Sequence, residues 1–565
     1  MTASLLQEKM DDKFTKPVST ETERKMDDES SETESEEMEK KIDDVPSELE
    51  LKEIEKKIGD TPSELQYSET EQNKNSKSRP LQYWRLYLLT LILGIGGSSQ
   101  FGIQISTIVF PAQYVQKFVN QTWILRYGAP VPDSTNQLIW SFMVSLFSLG
   151  ALAGALTSGQ FAVRFGRKRT LWLNNIVGIV GALLVIFSRM AKSFEMILIS
   201  RIIFGYNVGL GLNVHLMYIG ECSPNKLRGL LAFTVSVFVG FGKVFGQIVG
   251  FKELLGSEEM WPYLLAIGGL PAIVQFVTLP FFPEAPRYLY IDKGDVEGTE
   301  KALRWLWQED DLKMELEEMK KEKESIQGAE TKSLKDVLTS RCVRWQLLTL
   351  AIPCSLINFC GITALFFYAF DIFHTSGVPE EQMHYFTIGL GLTELISMII
   401  GSFILDFAGR KKMIGACYLV KGIIMSMLTV TLSIKHLASW IPYLSIALIF
   451  LFICVFGLGP AIGCLSFPAE IFVQAWRPPA FVILGILLWL SVFIVGMTFG
   501  YIVDGLGQYC FLFFVAYCIL SGAFVLYFVP ETKGRTIMEI TEEYNKLNYR
   551  NRRIDVERTN NDLAE

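Results

Sequence analysis

Four ionisable side chains stand inside stretches that are otherwise apolar, where an unpaired charge is expensive and a functional use is the default expectation. Glu394 lies twelve residues before Asp406, about 18 Å along a helix and so near the middle of a bilayer. Its carboxylate can accept hydrogen bonds from a polyhydroxylated solute, carry a proton, or pair with Lys421, which has a comparable depth in the next apolar stretch. Lys243 follows Ser236 by seven residues on the same helical face, and either reaches up to the outer interface or favours an anionic solute. His215 is a lone polar group suited to a hydrogen bond with a neighbouring helix. Enzyme chemistry is not expected: there is no nucleotide loop, zinc helix or nucleophile elbow, and the nine cysteines form no CxxC pair, so no metal or cofactor is called for.

A second set of charges repeats. Phe165-Gly166-Arg167-Lys168-Arg169 returns as Ala408-Gly409-Arg410-Lys411-Lys412, Glu221 and Arg228 return as Glu470 and Arg477, and Pro283-Glu284 returns as Pro530-Glu531, at offsets of 243, 249 and 247 residues. Three matches in order at a nearly constant offset mean a duplicated chain. Opposite charges at the ends of neighbouring helices can pair partly out of water, and the expectation is that Arg167, Glu221, Arg228, Glu284, Arg410, Glu470, Arg477 and Glu531 latch the two halves on the inner side.

The elements that must position these residues are membrane spans. The chain has 565 residues, half of them hydrophobic, with mean hydropathy +0.30, and the runs Leu86 to Gln116, Leu171 to Ser188 and Gly505 to Pro530 contain no charge. Twelve spans are expected near 86–110, 138–160, 171–189, 195–218, 229–250, 261–281, 344–369, 383–404, 412–433, 441–467, 478–500 and 508–529, giving an all-α membrane protein of two pseudo-symmetric six-helix bundles. Residues 81–281 form the first bundle, 282–343 a linker with short helices, 344–530 the second bundle and 531–565 a tail. Lys and Arg crowd the alternate loops that include 282–343, which places both termini in the cytoplasm, and the single Asn-x-Ser/Thr sequon, Asn120-Gln121-Thr122, falls on the outer side as a glycan site. Glycine and proline gather in the tenth span, where Gly459 and Pro460 mark a bending, gating segment. Halves around a twofold axis along the membrane normal predict alternating access, with a hollow near the midplane lined by spans 5, 7, 8 and 11.

The net charge of −7 belongs to the first 80 residues, which hold 23 acidic and 13 basic side chains, a net −10 that leaves +3 elsewhere. They carry a 16-residue repeat (Lys9-Met10-Asp11-Asp12, Lys25-Met26-Asp27-Asp28, Lys41-Ile42-Asp43-Asp44, Lys57-Ile58-Gly59-Asp60) and read as a disordered acidic extension, its partner unknown. The tail has no apolar core segment, so no secretory signal is expected there and the first span directs insertion. The alternating charges of Lys313 to Lys323 predict an exposed helix.

The run from Arg201 to Gly229, with Tyr218-Ile219-Gly220-Glu221 and Leu227-Arg228-Gly229, together with Pro283-Glu284-Ala285-Pro286-Arg287 and Pro530-Glu531-Thr532-Lys533-Gly534-Arg535, resembles the sugar porters of the major facilitator superfamily. Asn120-Gln121-Thr122-Trp123, Lys192-Ser193-Phe194-Glu195-Met196 and Gly377-Val378-Pro379-Glu380-Glu381 look like the vertebrate facilitative hexose transporters, over residues 80 to 548. The glucose-selective pattern is not kept: Ile357 and Asn358 precede Gly361, Thr363 follows it, Ser236 and Leu465 stand at the positions of a Gln and a Trp, and Trp489 is retained. This resembles the class II branch, which handles fructose or urate, and Ile372 to Glu381 with the 538–548 ending look most like its type-eleven subgroup. The resemblance implies uniport of a hexose, fructose or glucose, across the plasma membrane. It implies solute contacts at Gln104, Ser236, Asn358, Thr363, Glu394 and Trp489, and outer-gate aromatics at Phe367 and Tyr368. Proton-coupled sugar symport through Glu394, urate transport, and a non-transporting sugar sensor acting through the tail are the alternatives; the partners expected are a small sugar and the bilayer, with no nucleic acid.

Overall fold

The computed structural model describes residues 80–549 except positions 225–226, 310–311, 329–333, 368–372, 374–378, 435, 439, 473–475, 534 and 536. The acidic repeat, Tyr368 and the end of the chain lie outside the described residues. The described residues from Pro80 onward form one compact unit.

Among the described residues, ten helical stretches are long and apolar enough to cross a bilayer. One of them, Pro479–Phe528, has 50 residues and as a single helix would measure about 75 Å, more than twice the hydrocarbon thickness. The backbone divides it at Gly507, where φ is +54°, through a 3₁₀ turn over Gly507–Cys510. The remaining expected span is helical but broken, which removes it from a census of regular helices. The twelve membrane helices are α1 (Trp84–Thr107), α2 (Asp133–Phe165), α3 (Arg167–Met190), α4 (Glu195–Cys222), α5 (Arg228–Val249), α6 (Trp261–Phe281), α7 (344–367), α8 (Glu380–Ala408), α9 (Arg410–Ser433), α10 (Ile441–Cys464), α11 (Arg477–Leu506) and α12 (Phe511–Phe528).

Their packing repeats with the sequence. α2 lies along α4 as α8 lies along α10; α3 lies on α6 as α9 lies on α12; α1 lies on α5 as α7 lies on α11. The halves meet mainly along α5–α8 and α2–α11, and a twofold that exchanges α2 with α8 and α5 with α11 turns one seam into the other. Large apolar side chains such as Leu183, Phe187, Val277, Ile423 and Leu520 point outward, the arrangement a lipid solvent requires.

Glycines decide how closely helices approach. A Cβ on Gly205 would lie 1.9 Å from the Phe147 carbonyl oxygen and one on Gly209 2.0 Å from that of Ala151, so α2 and α4 touch backbone to backbone. These glycines serve packing, and α4 runs unbroken for 28 residues. α10 does break, between Ile441–Leu458 and Pro460–Ile471, because Pro460 has no amide hydrogen to continue the ladder and Gly459 sits at φ −121°, ψ −77°. α7 departs furthest from regularity: Arg344–Thr349 leads to a π segment Leu350–Ser355 around Pro353, a 3₁₀ turn Ile357–Cys360, Gly361 at φ +97°, then Ile362–Phe367.

The side that carries residues 282–343 is here termed the linker side, and its opposite the far side. Lys313–Gly328 is helical as expected, although not simply exposed: Arg287 bonds Glu315 and Glu322, and Met319 is buried. Burial and the neighbouring Glu318 raise the Glu315 carboxyl above its ordinary range, against the pull of Arg287. Gly209→Leu is expected to lower the thermal stability of the purified protein by about 3 kcal/mol through overpacking, whereas Gly220→Ala, whose Cβ meets nothing within 4 Å, should leave the melting curve in place.

Candidate functional site

The polar side chains of the broken α7 are tied to α11. Asn358 donates from Nδ2 to Ser491 Oγ at 2.8 Å, and its Oδ1 accepts from Thr363 Oγ1 at 2.6 Å, so one amide bridges the 3₁₀ turn, the helix after Gly361 and α11. Trp489 is almost fully buried and points the other way round α11, edge-on to Phe101 of α1 and Phe147 of α2, with ring centroids 5.2 and 6.2 Å apart. It therefore packs across the two halves. Ser236 is buried on α5.

Gln104 is already engaged. Its Oε1 accepts from Arg201 Nη1 at 2.8 Å, and Arg201 also donates from Nε to the Met143 carbonyl at 2.9 Å and lies over the Phe147 ring at 4.8 Å. Arg201 was quoted only as the start of a motif, yet it joins α1, α2 and α4 at 2% exposure. A lone arginine within the otherwise apolar 195–218 span was the available signal.

Glu394 does not pair with Lys421, the partner that its depth suggested. Lys243 Nζ lies 2.7 and 2.8 Å from its two carboxylate oxygens, with Lys243 7% exposed and Glu394 wholly buried. Lys243 does not reach the outer interface; a carboxylate at matching depth on α8 holds it inside the seam. Lys421 is not that partner. It is fully buried in the second half, its ammonium 4.1 Å from the Tyr418 ring centroid and 5.2 and 5.7 Å from those of Phe456 and Phe452. Aromatic faces stand in for a counterion. His215 Nδ1 and Ser98 Oγ are 2.6 Å apart, the helix-to-helix hydrogen bond that its isolation suggested.

On the linker side the repeated charges do pair, but within each half. Arg167 meets Glu221 at 2.8 Å and Asp292 at 2.8 Å, while Glu284 accepts from the Lys168 amide at 2.8 Å. In the second half Arg410 meets Glu470 at 3.3 Å and its amide donates to Glu531 at 2.9 Å; Thr532 also donates to Glu470. Gly166 and Gly409 adopt φ +93° and +86°, and a Cβ on either would press into the carboxylate of Glu284 or Glu531. The expected latch between halves is thus two matching clamps, each inside one bundle, because arginine and glutamate of one repeat are nearest to each other. Arg228 lies beside Arg287 and the acidic face of Lys313–Gly328, not against Glu221. Arg477 opens α11, and its side chain, like that of Phe367, is outside the described residues.

Among the described residues, contacts that cross the halves include Gln137 Nε2 to Asp504 at 2.5 Å and Phe251 against Tyr385 at 5.5 Å on the far side, and Trp489 on Phe101 and Phe147 and Lys243 on Glu394 nearer the middle of their helices. The far side is closed. The expected midplane hollow is not among the two cavities outlined: one of about 430 Å³ lies between the end of α6 and the helix Val296–Trp307, and one of about 70 Å³ lies between Phe359, α11 and α12.

This arrangement agrees with the comparisons. Residues 89–544 match the model of the family described as "Sugar (and other) transporter". The chain belongs to the sugar transporter family. It is 39% identical over 472 residues to the human solute carrier family 2, facilitated glucose transporter member 11, covering 83% of this chain and 95% of that one. It is 37% identical over 463 residues to the horse member 5, covering 82% and 92%, and 36% identical over 463 residues to the mouse member 9, covering 82% and 86%. The xylose transporter XylE from E. coli, in a partially occluded inward-open conformation, shares the fold with a TM-score of 0.65 at 21% identity, over 80% of this chain and 99% of that one. Sugar transport across a membrane by a multi-pass protein is the activity this membership carries.

The matched clamps should matter equally in both halves of this transporter. Glu221→Ala and Glu470→Ala each leave an arginine without its main partner, and each is expected to lower thermal stability by about 2 kcal/mol in purified protein; an effect confined to one half would contradict the repeated design.

Proposed function

We propose that this chain carries a hexose, fructose or glucose, down its gradient across the plasma membrane by alternating access, with the linker side and both termini in the cytoplasm. The observation that supports it best is the Asn358–Thr363–Ser491 chain that ties a broken helix to α11, with Trp489 on the opposite face of α11 where the halves meet. Neutral hydrogen bonds of this kind exchange readily for sugar hydroxyls. Ser236 and Gln104 complete the proposed solute contacts from the first half, Gln104 through the Nε2 that Arg201 leaves without a partner. Gly459 and Pro460 supply the bend, and Phe367 and Tyr368 the outer aromatics.

The orientation rests on lysine and arginine crowding the linker-side loops. With it, the far side is outer, and the structure stands closed outside. Asn120 then belongs outside as well, on the helix Ala112–Tyr127 rather than in a loop, with its Oδ1 accepting from the Val131 amide at 3.0 Å. Glu394, on which proton coupling would depend, has both oxygens occupied by an ammonium, which favours uniport.

Reconstituted protein should take up labelled fructose or glucose with counterflow that a pH gradient leaves unchanged. Asn358→Ala should raise KM about fivefold, the worth of roughly 1 kcal/mol of hydrogen bonding; no saturable flux of either sugar in wild-type proteoliposomes would refute the reading. Asn120→Gln should abolish a glycosidase-sensitive mobility shift in protein made by secretory-pathway cells.

A further inference from the structure

Lys243 and Glu394 stand 15 residues from the start of α5 and 14 residues from the end of α8, about 22 and 21 Å from the linker side. They belong to different halves. The seam around them is tight: a Cβ on Gly391 would lie 2.1 Å from Gln247 Oε1, and one on Gly240 3.1 Å from a Leu395 methyl. The ammonium also lies 4.4 Å from the Phe366 ring centroid, on the helix that follows Gly361. One cation thus joins α5, α8 and α7, at the midpoint of α8 and in the far-side part of α5, just inside the closed far side.

We propose that Lys243 and Glu394 are gating residues of the transport cycle, a charge pair whose closure seals the outer side between α5 and α8 and which parts each time the carrier opens outward. This deepens the transport reading and rests on it. Physically, each charge tolerates the dry seam only because the other is present, and in the outward-open state each is free to be hydrated by the widened entrance. Removing one charge leaves the other buried and uncompensated in the closed state alone, so the balance must shift towards opening. Removing both restores a seam that can close by apolar packing. The pair therefore behaves as a unit in which both charges or neither are tolerated, a pattern that simple packing residues do not show. When the gate opens, the Glu394 carboxylate is released to face the entering sugar, which makes its proposed solute contact a property of the outward-open state.

Ser145 reports on opening without touching the pair. It is buried on α2 against Gly496 of α11, in the other seam, and has no role in the gate. With Ser145→Cys in nanodiscs, the rate of maleimide labelling at that site, read by peptide mass spectrometry, should rise about tenfold on adding Lys243→Met or Glu394→Gln. Adding Lys243→Met with Glu394→Met should return it to near the starting rate. Should the single variants not fold, the charge can be removed after folding: acetylating the ammonium with a water-soluble N-hydroxysuccinimide ester should modify Lys243 slowly and then speed labelling at Ser145→Cys. Labelling rates indifferent to these changes, effects that multiply in the double variant, or Lys243 that never acetylates while Ser145→Cys reacts would overturn the gate. Labelling requires no knowledge of the solute, so failure of the sugar reading in flux assays remains separate from failure of the gate.

Discussion

The hydrocarbon layer offers no water, so every polar backbone group and every charge within it must find its partner inside the protein. Much of this structure follows from that requirement. Pro353 interrupts α7 and its carbonyl is taken up by Tyr418 Oη at 2.6 Å and by the Cys464 thiol, while Tyr517 donates to the neighbouring Ile352 carbonyl. The break is thereby braced from α9, α10 and α12, and the helix that bears Asn358 and Thr363 can leave regular geometry without exposing unsatisfied groups. Arg201, Lys421 and Lys243 answer the same demand in three ways: with carbonyl and amide oxygens, with aromatic faces, and with a carboxylate.

Duplication gives the second theme. A twofold that exchanges the bundles makes the helix packing of one half return in the other, and makes the α5–α8 and α2–α11 seams equivalent in architecture. Their contents differ. One seam carries a buried ion pair and the other a tryptophan wedged against two phenylalanines, so the two sides of the interface close by different physics, one electrostatic and one by packing. The linker-side clamps are the opposite case, alike in their arginine–glutamate pair and in the left-handed glycine that the second carboxylate presses upon. Conserving the clamp while diversifying the seam is what a protein would need in order to keep each bundle rigid while the bundles move against one another.

Rigid bundles and a mobile junction also explain where irregular backbone is found. α2 and α4 meet through glycines and remain unbroken, whereas α7, which bears Asn358 and Thr363, and α10 are broken at Gly361 and at Gly459-Pro460. Glycine alone did not separate these outcomes. In α4 it lets two backbones touch; in α10 it precedes a proline that cannot continue the hydrogen-bond ladder.

Apolar runs of bilayer length, charges recurring at a constant offset and the asymmetry of lysine and arginine are local or periodic properties of the chain, and they were sufficient for the spans and the two bundles, while the family was legible only as a resemblance of short motifs such as Tyr218-Ile219-Gly220-Glu221. Which charges meet is not local. Glu394 has Lys421 at a similar depth only 27 residues away in sequence, yet it pairs with Lys243, 151 residues earlier, because the rotation of α8 aims its carboxylate into the seam and α9 turns Lys421 towards Phe452 and Phe456 of α10. Depth along a helix can be counted from a sequence, whereas azimuth around it relative to a neighbour is set by how twelve helices pack at once. For the same reason the repeated arginines and glutamates were recognisable as partners, and only the packed bundles decided that each pairs within its own half.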